Sequence, residues 1–261
     1  MKTFRKVLAT ILCVLMIFGS VPLAGFVGMD LSAFKADAAE ETETTISGSV
    51  VPTEWEIEDY GYTTMNWFID KKSRVLTIEC EGKMLDFDNA DRGDAPWTAY
   101  TDYFDKVIFS DKCTYIGSSS LTNCTSLTSI TIPDSVTSIG YSAFRGCTSL
   151  ASITIPDSVT RIYGSAFSDC TSLTSIEIPD SVTYIDSYVF QGCTSLTSIT
   201  VPDSVTSIGD YAFYECTGLT SITIPDSVTI IGVYAFQGCT SLASITIPDS
   251  VTRIAVSSMT Q

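Results

Sequence analysis

Residues 124–146 read CTSLTSITIPDSVTSIGYSAFRG, and near-copies begin at Cys147, Cys170, Cys193, Cys216 and Cys239. With Cys124, these cysteines stand 23 residues apart without a slip. A fixed period of about 20–50 residues marks units that bury their apolar positions only by stacking on one another. The sequence therefore predicts a mostly β solenoid of six regular coils, 124–146, 147–169, 170–192, 193–215, 216–238 and 239–261. Function is then to be sought on a repeated surface rather than in one pocket.

One coil can be read residue by residue. Leu127, Ile130 and Ile132 have the spacing of a strand whose apolar members point inward, and Pro133-Asp134-Ser135 turns the chain because proline has no amide to extend a ladder. Val136 and Ile139 begin the return, Gly140 supplies a loose backbone for the next bend, and Ala143-Phe144 returns a ring to the core. Stacking at strand spacing, about 4.8 Å, places equivalent residues in columns. Residues 101–123 align with this pattern through Phe104, Val107, Phe109, Ile116 and Leu121, as a degenerate first coil.

Residues 54–100 read as a β-rich N-terminal cap, which an array needs to cover its open apolar end. They hold Trp55, Trp67 and Trp97, and MNWFID and RVLTIEC there read as two strands joined by a polar turn. Residues 39–53, acidic and rich in Ser and Thr, read as a mobile linker. In coil 239–261, Met259 takes the phenylalanine position and SSMTQ gives the edge a polar character.

Residues 1–38 carry a basic start (Lys2, Arg5, Lys6), an apolar run from Val7 to Phe18 and the small-residue triplet Ala36-Asp37-Ala38. That order predicts a signal peptide removed before Ala39, hence a secreted or extracellular chain, cell-surface associated or free. An uncleaved anchor is the competing reading, and Pro22 together with the cleavage triplet counts against it. The whole chain has 14 basic and 30 acidic side chains, a net charge of −16. Cleavage would remove Lys2, Arg5, Lys6, Lys35, Asp30 and Asp37, leaving 10 bases against 28 acids, or −18. Such a charge disfavours nucleic acid and anionic membrane as partners. No histidine occurs, so Ser-His-Asp, Cys-His and histidine-metal chemistry are excluded.

The pattern C-x-x-L-x-x-I-x-I-P-x-x-V-x-x-I-G-x-x-A-F-x-x over 124–258 resembles the BspA-type, or Treponema-type, bacterial leucine-rich repeat. RVLTIECEGKMLDF and APWTAY resemble the region that precedes such repeats. The resemblance implies an α/β-type solenoid, mostly β, that engages an extracellular protein or glycan, with its first strands on the concave side. It carries no catalytic residues to transfer and no cofactor. The expected function is adhesion or host interaction without catalysis, with a structural spacer of a larger surface assembly as the alternative.

The repeated columns supply the candidate sites. The outward first-strand positions are Ser129 and Thr131, Ser152 and Thr154, Ser175 and Glu177, Ser198 and Thr200, Ser221 and Thr223. This hydroxyl lattice is the expected ligand face, although β-propensity and solubility alone also favour those residues. A regular S-x-T lattice is also similar to the ice-binding faces of some solenoids. Tyr188, Tyr211 and Tyr234 form a second, aromatic candidate, because ring rows can stack on sugars or anchor a partner.

The remaining columns have plainer readings. The cysteine column is expected to be reduced and buried, since stacked side chains point the same way and cannot converge on a metal. Cys80 and Cys113 stand outside it, and the spacing leaves their pairing open. Asp134 and its equivalents suit a turn by bonding local amides, with Ca²⁺ between coils as the alternative. DFDNADRGD (86–94) lacks the spacing of a Ca²⁺ loop, and its Arg92-Gly93-Asp94 is an integrin-type tripeptide of the kind that arises by chance. No metal site is expected.

Overall fold

The computed structural model describes residues 40–41, 44–52, 58, 61–88 and 94–255. The expected signal peptide, Trp55, Arg92-Gly93 and Met259 lie outside the described residues. The cap contributes β1 (Glu40–Glu41), β2 (Thr45–Val50), β3 (Met65–Asp70) and β4 (Val75–Cys80), and coil 101–123 contributes β5 (Lys106–Phe109) and β6 (Tyr115–Ile116). The regular coils alternate first and second strands: β7 (Ser129–Thr131), β8 (Ser138–Ile139), β9 (Ser152–Ile153), β10 (Arg161–Ile162), β11 (Ser175–Ile176) and β12 (Tyr184–Ile185). β13 (Ser198–Thr200), β14 (Ser207–Ile208), β15 (Ser221–Thr223), β16 (Ile230–Ile231) and β17 (Arg253–Ile254) complete the series.

Two ladders run along the stack. First strands pair in parallel, β5 with β7, β9 with β11 and β13 with β15. Second strands do the same, through β6–β8–β10 and through β12–β14–β16–β17. Equivalent residues of neighbouring coils oppose one another, as in Ser198 with Ser221 and Thr200 with Thr223. The apolar columns expected from the sequence are buried, Leu127, Val136, Ile139 and Phe144 all at 0% exposure. Between the ladders, the amide of Val136 donates to the carbonyl of Pro133 (3.0 Å), closing the turn at the proline.

The third side is built differently. Ser119, Ser142, Ser165, Tyr188, Tyr211 and Tyr234 all have φ between 53° and 63°. A second left-handed column runs through Asn123, Gly146, Asp169, Gly192, Glu215 and Gly238. These reversals turn alternate amides toward the next coil: Ser142, Phe144 and Gly146 donate to the carbonyls of Gly164, Ala166 and Ser168. Gly140 serves close approach, not looseness. A Cβ there would lie 2.6 Å from the amide nitrogen of Ser118 in the preceding coil.

The cap continues the first ladder and then closes it. β4 pairs in parallel with β5, opposing Leu76 to Val107 and Thr77 to Ile108, while β3 returns antiparallel on β4 and β2 antiparallel on β3. The 39–53 stretch is therefore not a mobile linker throughout. Thr45–Val50 completes the sheet, and Ile46 is fully buried opposite Ile69, because the edge of β3 offers its unpaired amides and carbonyls. Trp67 meets Trp97 edge-on at 6.2 Å, Phe87 meets Trp97 at 5.5 Å, and Trp97 Nε1 donates to the Ser120 carbonyl at 2.8 Å.

At the other end, the polar SSMTQ edge expected from the sequence lies outside the described residues. Leu242, Ile245, Ile247 and Val251 are only partly buried, and Ile254 is 45% exposed. The apolar pattern of the repeat continues there without a covering neighbour among the described residues.

Candidate functional site

All ten first-strand candidates, Ser129, Thr131, Ser152, Thr154, Ser175, Glu177, Ser198, Thr200, Ser221 and Thr223, are exposed. The ladder brings them together as two rows, serine beside serine and threonine beside threonine, with Glu177 opposite Thr200. Toward the cap the threonine row runs on through Ile108, 41% exposed, to Thr77.

Other hydroxyl columns look the same in sequence but are engaged. The turn serine reaches back to the preceding coil, as Ser181 Oγ donates to the Val159 carbonyl (2.5 Å) and Ser204 Oγ to that of Val182 (2.6 Å). The threonine that opens the return does likewise, Thr206 Oγ1 donating to the Thr183 carbonyl (3.3 Å). So does the threonine before the first strand, Thr220 Oγ1 donating to the Thr197 carbonyl (2.9 Å). Among the described residues, none of the ten lattice side chains makes a hydrogen bond within the protein. These columns are staples; the lattice is free. Nothing in an S-T-rich repeat distinguishes the two before the coils are stacked.

The turn aspartates differ from expectation. Asp134, Asp157, Asp180, Asp203, Asp226 and Asp249 are exposed, and among the described residues their carboxylates take no local amide. The neighbouring serine hydroxyl makes the tie, because the turn directs it at the carbonyl of the coil before. Asp86, at the start of the acidic 86–94 stretch, accepts from the hydroxyls of Tyr62 and Tyr115 and from the Ser118 amide (2.5 Å). Burial, and then Asp86 beside it, push the Tyr115 phenol well above its ordinary range. This tie between cap and first coil gave no sequence signal.

The cysteine column consists of buried thiols. Cys147, Cys170, Cys193, Cys216 and Cys239 each donate to a carbonyl 26 residues earlier, Cys193 Sγ to Phe167 (3.2 Å) and Cys216 Sγ to Phe190 (3.0 Å). Burial pushes the thiols up, to about 12 at Cys124 and Cys170 and about 11 at Cys239. Outside the column, Cys80 and Cys113 form a disulfide with their Cα atoms 5.3 Å apart, tying the end of β4 to coil 101–123.

The tyrosine candidates stack. Tyr188 and Tyr211 lie 4.8 Å apart with planes 5° from parallel, and Tyr211 and Tyr234 lie 5.1 Å apart. Tyr214 meets Tyr211 edge-on at 5.5 Å. The faces within the row are thus covered by neighbouring rings, and edges and hydroxyls face outward. A sugar stacking on those inner faces, as anticipated from sequence, is sterically displaced by the next tyrosine.

The array matches the family model for the BspA type leucine rich repeat region, in six copies, over residues 99–219 and 166–261. A leucine rich cell surface protein from Faecalibacterium prausnitzii A2-165 is 33% identical with a TM-score of 0.55, over 70% of this chain and 52% of its own. The leucine rich repeat protein of Treponema pallidum is 26% identical, TM-score 0.53, over 68% of this chain and 87% of its own. A leucine-rich repeat protein from Eubacterium ventriosum, 24% identical with a TM-score of 0.60, shares the fold over 80% of this chain. The chain spans about half the length of the Faecalibacterium protein, 52%. No curated protein matches the chain. The period, the buried columns and the parallel ladders agree with the family match: this chain belongs to the BspA-type leucine-rich repeat family.

Proposed function

We propose that this chain is an exported, non-catalytic interaction protein, secreted or held at the cell surface, that binds an extracellular protein or glycan through its first-strand face. The observation that carries this reading is the contrast between hydroxyl columns: three staple the coils, while the outward lattice is exposed and free. Extended repeated faces are the binding surfaces of stacked-repeat folds. The cell surface description of the Faecalibacterium protein supports the location. So does the N-terminal segment, with its basic start, apolar run and Ala36-Asp37-Ala38 triplet. No helix among the described residues is long and apolar enough to cross a membrane.

The test is a protein and glycan array probed with the purified chain. Binding is then repeated with the S175A/E177Q/S198A/T200A variant. The variant should lose roughly tenfold or more in affinity for whatever the array captures, with stability changed by no more than about 0.5 kcal/mol because the side chains are solvated. Undiminished binding by a folded variant would remove the lattice from the function, and a folded chain that captures nothing would be a spacer.

A further inference from the structure

The flank that carries the tyrosine row differs between the two halves of the array. Arg161 lies over the Tyr163 ring at 4.4 Å, and Arg145 Nε lies 3.5 Å from Asp169 Oδ2. In the earlier coils, then, an aromatic ring and a carboxylate of this flank each hold a base of the same chain. From residue 162 to residue 252 there is no lysine or arginine at all. Beyond Asp169, among the described residues, the rings and acids of this flank have no lysine or arginine against them, and Asp186 and Asp210 accept only the amides of Ser187 and Val233 (both 2.7 Å). Tyr188, Tyr211, Tyr214 and Tyr234 form the row, with Asp186, Asp210 and Glu215 beside it.

We propose that this tyrosine and carboxylate flank is a second docking surface, separate from the hydroxyl lattice, for an arginine-rich segment of an extracellular protein. Charge complementarity selects the occupant. A guanidinium is attracted by ring electrons and by carboxylates together, and it is less strongly hydrated than an ammonium, so it is the cation that such a surface desolvates most readily. The edges and hydroxyls of the row receive it while the inner faces are taken. The field there is negative. Partial desolvation and then Tyr188, Tyr234 and Asp210 raise Tyr211, and Glu215 raises Tyr214. The backbone supports the row as well: tyrosine occupies a left-handed position with φ of 56–63°, where Ser119, Ser142 and Ser165 stand in the earlier coils.

That internal substitution supplies the test. Serine already occupies this conformation in three coils, so Y188S/Y211S/Y234S preserves the coil while deleting the rings. Binding of fluorescent oligoarginine and oligolysine peptides of equal length is followed by anisotropy at physiological salt, using the full chain. Oligoarginine should bind more tightly than oligolysine. The triple serine variant and D186N/D210N/E215Q should each weaken oligoarginine roughly tenfold, whereas the S175A/E177Q/S198A/T200A lattice variant should leave it unchanged. Equal binding of the two peptides, or full affinity in the triple serine variant, would overturn the proposal, since only diffuse charge would then be acting. Loss in the lattice variant would also overturn it, by placing the cation on the other face.

Discussion

Replacing Phe190 by alanine tests the stacking logic of the array directly. The ring is fully buried and lies between Phe167, at 5.9 Å with planes 8° apart, and Phe213, at 5.5 Å with planes 16° apart. Deleting it removes the buried hydrocarbon, leaves a cavity between two coils and breaks two ring contacts. The expected loss is about 3–5 kcal/mol. Phe144 is a natural control, equally buried but with a ring, Phe167, on one side and the aliphatic Leu121 in the column on the other. Phe144→Ala should therefore be milder by about 0.5–1.5 kcal/mol, the worth of one aromatic contact. Phe190→Leu, which copies Leu121, should retain most of the volume and lose about 1–3 kcal/mol. Urea unfolding followed by far-ultraviolet circular dichroism measures all three. A loss below about 1 kcal/mol for Phe190→Ala would refute the column, because no fully buried ring between two others could vanish so cheaply.

Two further outcomes follow from the sulfur chemistry. The buried thiols are raised by burial, so folding favours their neutral form; stability is complete below the unfolded-state value near 9 and falls as pH rises above it. Each thiol should contribute up to about 1.4 kcal/mol per pH unit of loss, read from urea midpoints between pH 8 and 11. In the same range iodoacetamide should modify Cys147, Cys170, Cys193 and Cys216 only after denaturant is added, and native labelling would contradict the buried column. Second, the Cys80–Cys113 bridge spans 33 residues. On loop-closure grounds, Cys80→Ala with Cys113→Ala should destabilise the cap by roughly 3–4 kcal/mol. Hydrogen exchange should localise that loss to residues 44–123 and leave the coils from 147 onward protected.

The sequence alone determined the period, the buried columns and the hairpin of the cap. It could do so because apolar residues returning every 23 positions admit few arrangements other than a stack, and each coil repeats the same local rules of strand, proline turn and return. It also identified which residues face outward on the first strand, since alternation along a strand is a local property. Three things were decided only by tertiary contact. Ser181, Thr206, Thr220 and Ser198 are alike in the chain, and only the position of the preceding coil's carbonyls makes the first three staples and leaves the last free. Residues 45–50 look polar and mobile until β3 presents an edge to pair with. The tyrosines change meaning most: read singly they offer ring faces, but stacking at 4.8 Å turns those faces on one another and leaves the row its edges and hydroxyls beside carboxylates that no lysine or arginine neutralises among the described residues. A repeat fixes what each coil is, while hydrogen-bond partners and ring contacts belong to pairs of coils, so they arise only when the stack closes.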